Sequence, residues 1–304
     1  MTRLLGILSV LCFALAIWLS QGHFASSQDA AWSFEDSWAF WFCVLLLAGG
    51  AFLLAGAIGM FSKSWRLAGK AALATIPLVA IVGLILFKAQ YGLREIHYLT
   101  LIGEDGPVEY ATAIVLVLTA VLSIINMRLA FKRRLLIVGA FFAAFFAVSL
   151  FIALEEISYG QRLLDFATPA EIEAVNRQKE FNLHNITDFE WFTLRMAPVI
   201  LASYGILGFL AHALLVKLIP SRLIAGQQTD LLFPQWYAAS YFLPLGIYAC
   251  TIFYAGENFV WQDQEPAELF MSFGFLLIAV HALPTIRRSV TCDPTSEQAR
   301  PSDA

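Results

Sequence analysis

Long uninterrupted apolar segments constrain the fold of this chain more than any other feature. The run LLIVGAFFAAFFAVSLFIAL, residues 135–154, contains no charged residue. Because a helix rises about 1.5 Å per residue, about twenty residues cross the hydrocarbon core of a bilayer. Hydrophobic residues make up 59% of the chain and charged residues only 14%, whereas a soluble domain is about 25% charged. These values predict a membrane protein built of spanning helices.

Eight segments are long and apolar enough to span a bilayer. They lie at roughly residues 4–20, 38–61, 71–88, 108–127, 135–155, 191–216, 233–255 and 268–286. The predicted fold class is an all-α membrane protein, a bundle of about eight transmembrane helices forming one domain over residues 1–288. If the first segment is a cleaved signal peptide, as the small residues of SQGHFASSQDA allow, seven helices remain. Residues 289–304 are predicted to form a disordered cytoplasmic tail.

Charge asymmetry between the connections predicts the orientation. Basic residues concentrate in the connections at 62–70, 128–134 and 217–230, and 13 of the 19 Lys and Arg residues fall on that side. The opposite side holds 19 of the 23 acidic residues. The positive-inside rule then places both termini in the cytoplasm and the long connection at 157–190 outside.

The composition also excludes several function classes. The net charge of −4 leaves no basic surface for nucleic acid. The 4 cysteines are scattered without CxxC spacing, so neither a disulfide framework nor a cysteine zinc site is predicted. The predicted partner is the lipid bilayer, with a lipid or lipid-linked headgroup as a second candidate. No feature points to a particular protein partner.

Acidic residues at the starts of helices have a plain structural explanation. Even-numbered helices begin on the predicted outer side, and a helix N-terminus favours negative charge. Glu109 stands at the start of the fourth helix, and Glu265 and Glu268 stand in QEPAE at the start of the eighth. We therefore interpret these three glutamates as helix-end charges.

Glu155 and Glu156 lack that explanation because they end the fifth helix, where the helix dipole disfavours negative charge. Adjacent positions on a helix point about 100° apart, so the two side chains meet different surroundings. Each needs a cation, a metal or a shared proton. Arg195 and Arg162 are candidate partners, and a purely structural network of this kind is one alternative.

The connection at 157–190 carries the other candidate site residues. The letters TPAE, residues 168–171, predict a threonine N-cap and a short helix. If residues 180–184 are helical, Glu180 and His184 share one face at i, i+4 spacing, which suits one metal ion or a proton-transfer pair. The candidate catalytic residues are Glu155, Glu156, Glu180 and His184. The same four residues with His97 are the candidate ligands of a divalent metal ion. The predicted substrate-binding or structural polar network consists of Ser158, Gln161, Arg162, Asn182, Asn185, Arg195 and Glu257.

The letters EEISYGQR, followed by NRQKEFNLHN, resemble a pattern found in a family of uncharacterised bacterial polytopic inner-membrane proteins. The family pattern reads EExSxGQR, then NxQxExNLHN, and thirteen positions of this chain match it. They are Glu155, Glu156, Ser158, Gly160, Gln161, Arg162, Asn176, Gln178, Glu180, Asn182, Leu183, His184 and Asn185. The resemblance implies a location in the bacterial inner membrane and brings no activity or substrate with it.

Three classes of function follow from these observations. The first is a membrane-embedded enzyme acting on a lipid or lipid-linked substrate near the outer leaflet. The second is a non-catalytic binding or sensing protein, and the third is a structural subunit whose polar cluster only ties the outer loop to the helices. No acidic residue marks the middle of any predicted span, which disfavours transport.

The predicted orientation is tested by labelling single cysteines in a background without the native ones. A thiol introduced by Thr168→Cys should react with an impermeant reagent added outside, and one introduced by Ser64→Cys should not, because positive-inside places residue 64 in the cytoplasm. Labelling of position 64 without labelling of position 168 would reverse the topology.

Overall fold

The structure, a computed structural model, describes residues 64–91, 100, 102–103, 106–187, 192–218, 229–254 and 264–288. Within these ranges the chain is helical, and no strand occurs apart from one isolated bridge between Asn176 and Ile186. Four helices are long and apolar enough to cross a membrane. This agrees with the predicted helical membrane protein. The first two predicted spans and the tail lie outside the described residues, so the total of eight and the orientation stay predictions.

The helices follow one another in this order: α1 (Trp65–Tyr91), α2 (Pro107–Lys132), α3 (Leu136–Glu156), α4 (Gln161–Leu164), α5 (Ala170–Glu173), α6 (Ala197–Leu218), α7 (Leu243–Tyr254) and α8 (Gln264–Arg288). Short 3₁₀ turns lie at Ser158–Gly160, Thr229–Leu232 and Ala239–Phe242, and a π-helical turn at Phe192–Met196 leads into α6. The four helices that can span are α1, α2, α3 and α8.

A tight turn joins α2 to α3. Arg134 takes a left-handed conformation with φ of 60°. The backbone N–H of Leu135 then donates to the carbonyl of Ala130 at 2.9 Å, and that of Arg134 donates to Phe131 at 3.0 Å. This pair of bonds is the Schellman pattern that ends many helices. It turns α3 back along α2 as an antiparallel neighbour.

Helix α2 packs between α3 and α8, and its buried face is lined by small and hydroxyl residues, among them Thr112, Thr119 and Ser123. Their hydroxyl groups donate to carbonyls of their own helix, so each is satisfied without water. Asn126 donates from Nδ2 to the carbonyl of Ala279 in α8 at 2.8 Å. Small residues and interhelical hydrogen bonds of this kind hold helices together in lipid, where apolar burial contributes little.

The opposite face of α2 is apolar and exposed. Ile114 is 60% exposed and Val121 is 51% exposed. An exposed apolar stripe along a spanning helix suits contact with hydrocarbon. The helix therefore places polar contacts inside the bundle and branched aliphatic side chains outside.

The predicted seventh span, residues 233–255, is too long at its start. Helix α7 begins only at Leu243, and the residues before it form turns around Pro234. A proline disfavours helix in the residue before it and cannot donate a backbone hydrogen bond. Pro244 and Pro198 stand in the first turns of α7 and α6, where proline is tolerated.

Phe242 fills the space where α6 and α8 approach each other, and it is fully buried. A Cβ atom added at Gly205 of α6 would lie 1.8 Å from the ring, and one added at Gly274 of α8 would lie 2.6 Å from it. The absence of side chains at both positions therefore admits the aromatic ring.

Gly205→Ala should destabilise the protein by about 1–3 kcal/mol, because the added methyl group overpacks Phe242. Gly83→Ala in α1 is the matched control, since a Cβ there meets nothing within 4 Å. Thermal unfolding in detergent measures both. Equal melting temperatures for the two variants would contradict the packing described here.

Candidate functional site

The end of α3 changes from hydrocarbon-like sequence to acidic sequence within one turn. Glu155 is buried and Glu156 is partly buried. After the helix ends, Ser158, Tyr159 and Gly160 all take positive φ values of 46°, 54° and 77°. Left-handed conformations in consecutive residues are costly outside glycine and cluster at functional sites. This strained turn reverses the chain, so that residues 157–187, here called the loop segment, fold back over the helix ends.

Glu155 holds the loop segment in place. Its Oε2 accepts the backbone N–H groups of Leu183 at 2.8 Å and His184 at 2.9 Å. The same oxygen lies 3.2 Å from Nδ1 of the His184 ring. Burial, followed by the neighbouring Glu155 carboxylate, raises the pKa of the Tyr159 hydroxyl to about 12. Glu155 thus fixes both the backbone at 183–184 and the orientation of the imidazole.

Glu180 is tied within the same segment. It accepts hydrogen bonds from the hydroxyl of Ser158, the guanidinium of Arg162 and the amide of Asn182. The pairing of Arg162 predicted for Glu155 or Glu156 is therefore made with Glu180. Both carboxylate oxygens of Glu180 are in use, so this residue organises the loop.

Side-chain amides build the rest of the loop segment. Asn176 Oδ1 accepts the backbone N–H groups of Gln178 and Glu180, and its Nδ2 donates to the carbonyl of Asn182 at 2.9 Å. Gln161 Oε1 accepts the N–H of Phe181 at 2.7 Å. These bonds satisfy buried polar groups that a buried loop would otherwise leave unpaired.

One local condition is not met and one local prediction is wrong. Residues 180–184 are not helical, because the N–H of His184 donates to Glu155 and Lys179 has a φ of 59°. Thr168 does not cap α5. Its hydroxyl accepts from Gln161 and donates to the carbonyl of Lys179, and the helix it precedes is only Ala170–Glu173.

Three carboxylates from two helices meet beside the loop segment. Oxygen atoms of Glu156, Glu265 and Glu268 all lie within 4.8 Å of one another, and we call this group the carboxylate cluster. Like charges at this distance repel one another, and Glu109 of α2 lines the same cavity. Gln264 donates from Nε2 to Glu268. Glu265 and Glu268 stand in the first turns of α8, where the helix dipole favours them.

A cavity of about 330 Å³ joins the cluster to the loop segment. Its polar wall consists of Glu109, Glu155, Glu156, Gln178, Glu180, Asn182, His184, Thr193, Gln264, Glu265 and Glu268. Its apolar wall consists of Phe151, Ile152, Leu183, Phe192, Ala197, Pro198, Leu201, Leu245 and Met271. No Lys or Arg is present among these described lining residues. The cavity therefore combines a strongly acidic end with an apolar end.

The four candidate catalytic residues, Glu155, Glu156, Glu180 and His184, all line this one cavity. Their chemical roles stay predictions. The group that could hold a metal ion differs from the predicted ligand set. It consists of Glu156, Glu265 and Glu268. His97, Glu257 and the side chain of Arg195 lie outside the described residues.

Sequence reasoning missed Glu109, Glu265 and Glu268 as members of the site. Each was explained by its place at a helix start, and that explanation is correct locally. The available signal was the spacing of Glu265 and Glu268 at i, i+3, which places two carboxylates on one face of α8. Only the packing of α8 beside the end of α3 brings that face to Glu156.

Together these features define an α-helical membrane protein with an acidic cavity at one end of its apolar helices. No protein-family model, curated protein or solved structure matches the chain.

Replacing Glu155 tests whether it holds the loop segment. Glu155→Ala should leave the N–H groups of Leu183 and His184 without an acceptor and destabilise the loop contact by about 1–3 kcal/mol. Glu155→Gln keeps one acceptor oxygen and should lose less. Hydrogen exchange at residues 183 and 184 measures the contact directly.

Glu173→Ala is the control for this experiment, because Glu173 is an exposed carboxylate on α5 of the same segment. It should leave exchange at residues 183 and 184 unchanged. Protection of those two amides that persists in Glu155→Ala would show that Glu155 does not hold the loop.

Proposed function

We propose that the protein is a membrane-embedded enzyme that acts on a lipid or lipid-linked substrate at the outer leaflet of the bacterial inner membrane. The observation that carries the proposal is the cavity that places the carboxylate cluster and the Glu155–His184 pair around one partly apolar space. The charge asymmetry of the connections supports the outer location. The resemblance of EEISYGQR and NLHN to bacterial inner-membrane proteins supports the choice of membrane.

The carboxylate cluster is the part of the site suited to a divalent cation. Glu156, Glu265 and Glu268 offer carboxylate oxygens, the hard ligands that Mg²⁺, Ca²⁺ and Mn²⁺ prefer. No histidine or cysteine belongs to the group among the described residues, which disfavours zinc. A bound cation would supply positive charge to polarise an oxygen of the substrate or of water.

His184 is the proposed general base. The Glu155 carboxylate beside Nδ1 favours the tautomer with the proton on that nitrogen, which leaves Nε2 as the proton acceptor. In that tautomer the Asn185 amide donates to Nε2 at 3.0 Å and holds the ring in this orientation. This bond must break before Nε2 can accept a proton from the substrate. Glu155 is a positioning residue in this scheme, since it acts through His184.

A structural subunit is the second candidate, and the bonding of Glu155 and Glu180 favours it. Oε2 of Glu155 and both oxygens of Glu180 accept hydrogen bonds that tie the loop segment to itself and to α3. The carboxylate cluster distinguishes the two candidates, because a structural role gives no reason to gather Glu156, Glu265 and Glu268 at a cavity wall.

Cation binding is measured with Mn²⁺ on protein in nanodiscs, by electron paramagnetic resonance. Wild-type protein should bind Mn²⁺, and Glu268→Gln should weaken binding by about tenfold or more, a loss of about 1.4 kcal/mol or more. Glu268→Gln should also raise the melting temperature in metal-free buffer, since it removes a carboxylate that lies within 4.8 Å of Glu156 and repels it. Glu173→Gln is the matched control and should change neither quantity.

Turnover is measured by mass spectrometry of polar lipids incubated with the protein. His184→Ala should abolish turnover and leave Mn²⁺ binding in place, because His184 lies outside the cluster. A wild-type protein that binds no Mn²⁺ and changes no lipid, with Glu268→Gln less stable than wild type, would favour the structural subunit.

A further inference from the structure

The cavity opens onto an exposed apolar surface of the bundle. Phe151, Leu183 and Phe192 line it, and they are 46%, 44% and 43% exposed. Phe151 belongs to the membrane-spanning helix α3 and follows Val148, which is 44% exposed, by one turn on the same face. The cavity wall is thus continuous with a surface that suits hydrocarbon. We call Phe151, Leu183 and Phe192 the portal.

The size of the cavity limits what it can enclose. Its volume of about 330 Å³ is near the lower end of ligand cavities, which run from about 300 to 1,000 Å³. That space accommodates a headgroup and the first carbon atoms of a chain, and it is too small for a complete lipid. The remaining chain must lie outside the cavity, where the exposed apolar side chains of the portal can contact it.

The charge of the cavity limits the headgroup. The polar wall carries the carboxylate cluster together with Glu109, Glu155 and Glu180, and no Lys or Arg lines it in the part of the chain that the structure describes. A bare phosphate would be repelled by this wall. A headgroup that brings positive charge is attracted, whether the charge is its own amine or a divalent cation bound to a phosphate.

We propose that an amphiphile enters this cavity sideways from the bilayer through the portal, with a positively charged headgroup at the carboxylate cluster and its chain left in the lipid. The inference rests on the proposed function in treating the cluster as the substrate end of the site. It adds the route of entry and the class of headgroup.

Photolabelling tests the route. Two probes share one alkyl chain with a diazirine near its head, an alkylamine and an alkyl phosphate, the second given with Mn²⁺. Each is added to vesicles of phosphatidylcholine that contain the full-length protein. We expect adducts on Leu245 and Met271, which line the cavity on α7 and α8. Leu183→Trp and Phe192→Trp, which narrow the portal, should reduce those adducts by about tenfold.

Val148→Trp is the matched control, because it adds the same ring to the lipid-facing side of α3 without lining the cavity. It should leave the cavity adducts unchanged. Adducts confined to lipid-facing residues, or cavity adducts equal in all variants, would overturn the portal. If only the alkylamine labels the cavity, the headgroup is an amine. If the alkyl phosphate labels the cavity and does so only when Mn²⁺ is present, the headgroup is a cation-bound phosphate.

Mn²⁺ binding to the wild-type protein separates this inference from the proposed function. Suppose that the protein binds no Mn²⁺ but the alkylamine still labels the cavity in a portal-dependent way. This result would support the portal and reject the divalent-cation site. Suppose instead that Mn²⁺ binds the wild-type protein, is lost in Glu268→Gln, and neither probe forms cavity adducts. This result would support the cation site and reject the portal.

Discussion

The contact between Glu155 and the backbone of Leu183 and His184 determines the arrangement of everything beyond the end of α3. A buried carboxylate at the C-terminal end of an apolar helix is costly, since the helix dipole and the low dielectric both oppose its charge. Two backbone N–H groups at 2.8 and 2.9 Å compensate it, and charge-assisted bonds of this kind are the stronger ones. The same two bonds satisfy the N–H groups of residues 183 and 184, which belong to no helix or strand. This contact therefore stabilises the buried charge of Glu155, pairs the backbone donors of residues 183 and 184, and brings His184 to the cavity.

The side chain of the neighbouring Glu156 has different contacts because of helix geometry alone. Its side chain points about 100° away from that of Glu155, toward α8 and away from the loop segment. There it meets Glu265 and Glu268, so it gains negative neighbours. The two adjacent glutamates therefore have different roles. Glu155 binds the loop segment, and Glu156 belongs to the acidic wall of the cavity.

Sequence reasoning succeeded where a single physical quantity decides the outcome. The spans of α2, α3 and α8 follow from apolar length, and the start of α2 follows from Pro107 and Glu109. It failed where neighbours distant in sequence compete. The N–H of His184 donates to Glu155, so residues 180–184 do not form the helix on which the shared face of Glu180 and His184 depended. The carboxylate cluster depends on the packing of α8 against the bundle, a relation between segments over 100 residues apart in the printed sequence, and no local pattern encodes it.

Several unfavourable features lie together at the end of α3. Helix α2 satisfies its hydroxyl groups on its own carbonyls, and the α2–α3 turn uses an ordinary Schellman pattern. At the end of α3, by contrast, three consecutive residues have positive φ and three carboxylates lie within 4.8 Å. Strained backbone conformations and crowded like charges tend to occur together at functional sites. A purely structural connection between α3 and the loop segment would need the bonds of Glu155 and Glu180. It would not need Glu156, Glu265 and Glu268, and their presence at the same cavity is the reason we propose the site there.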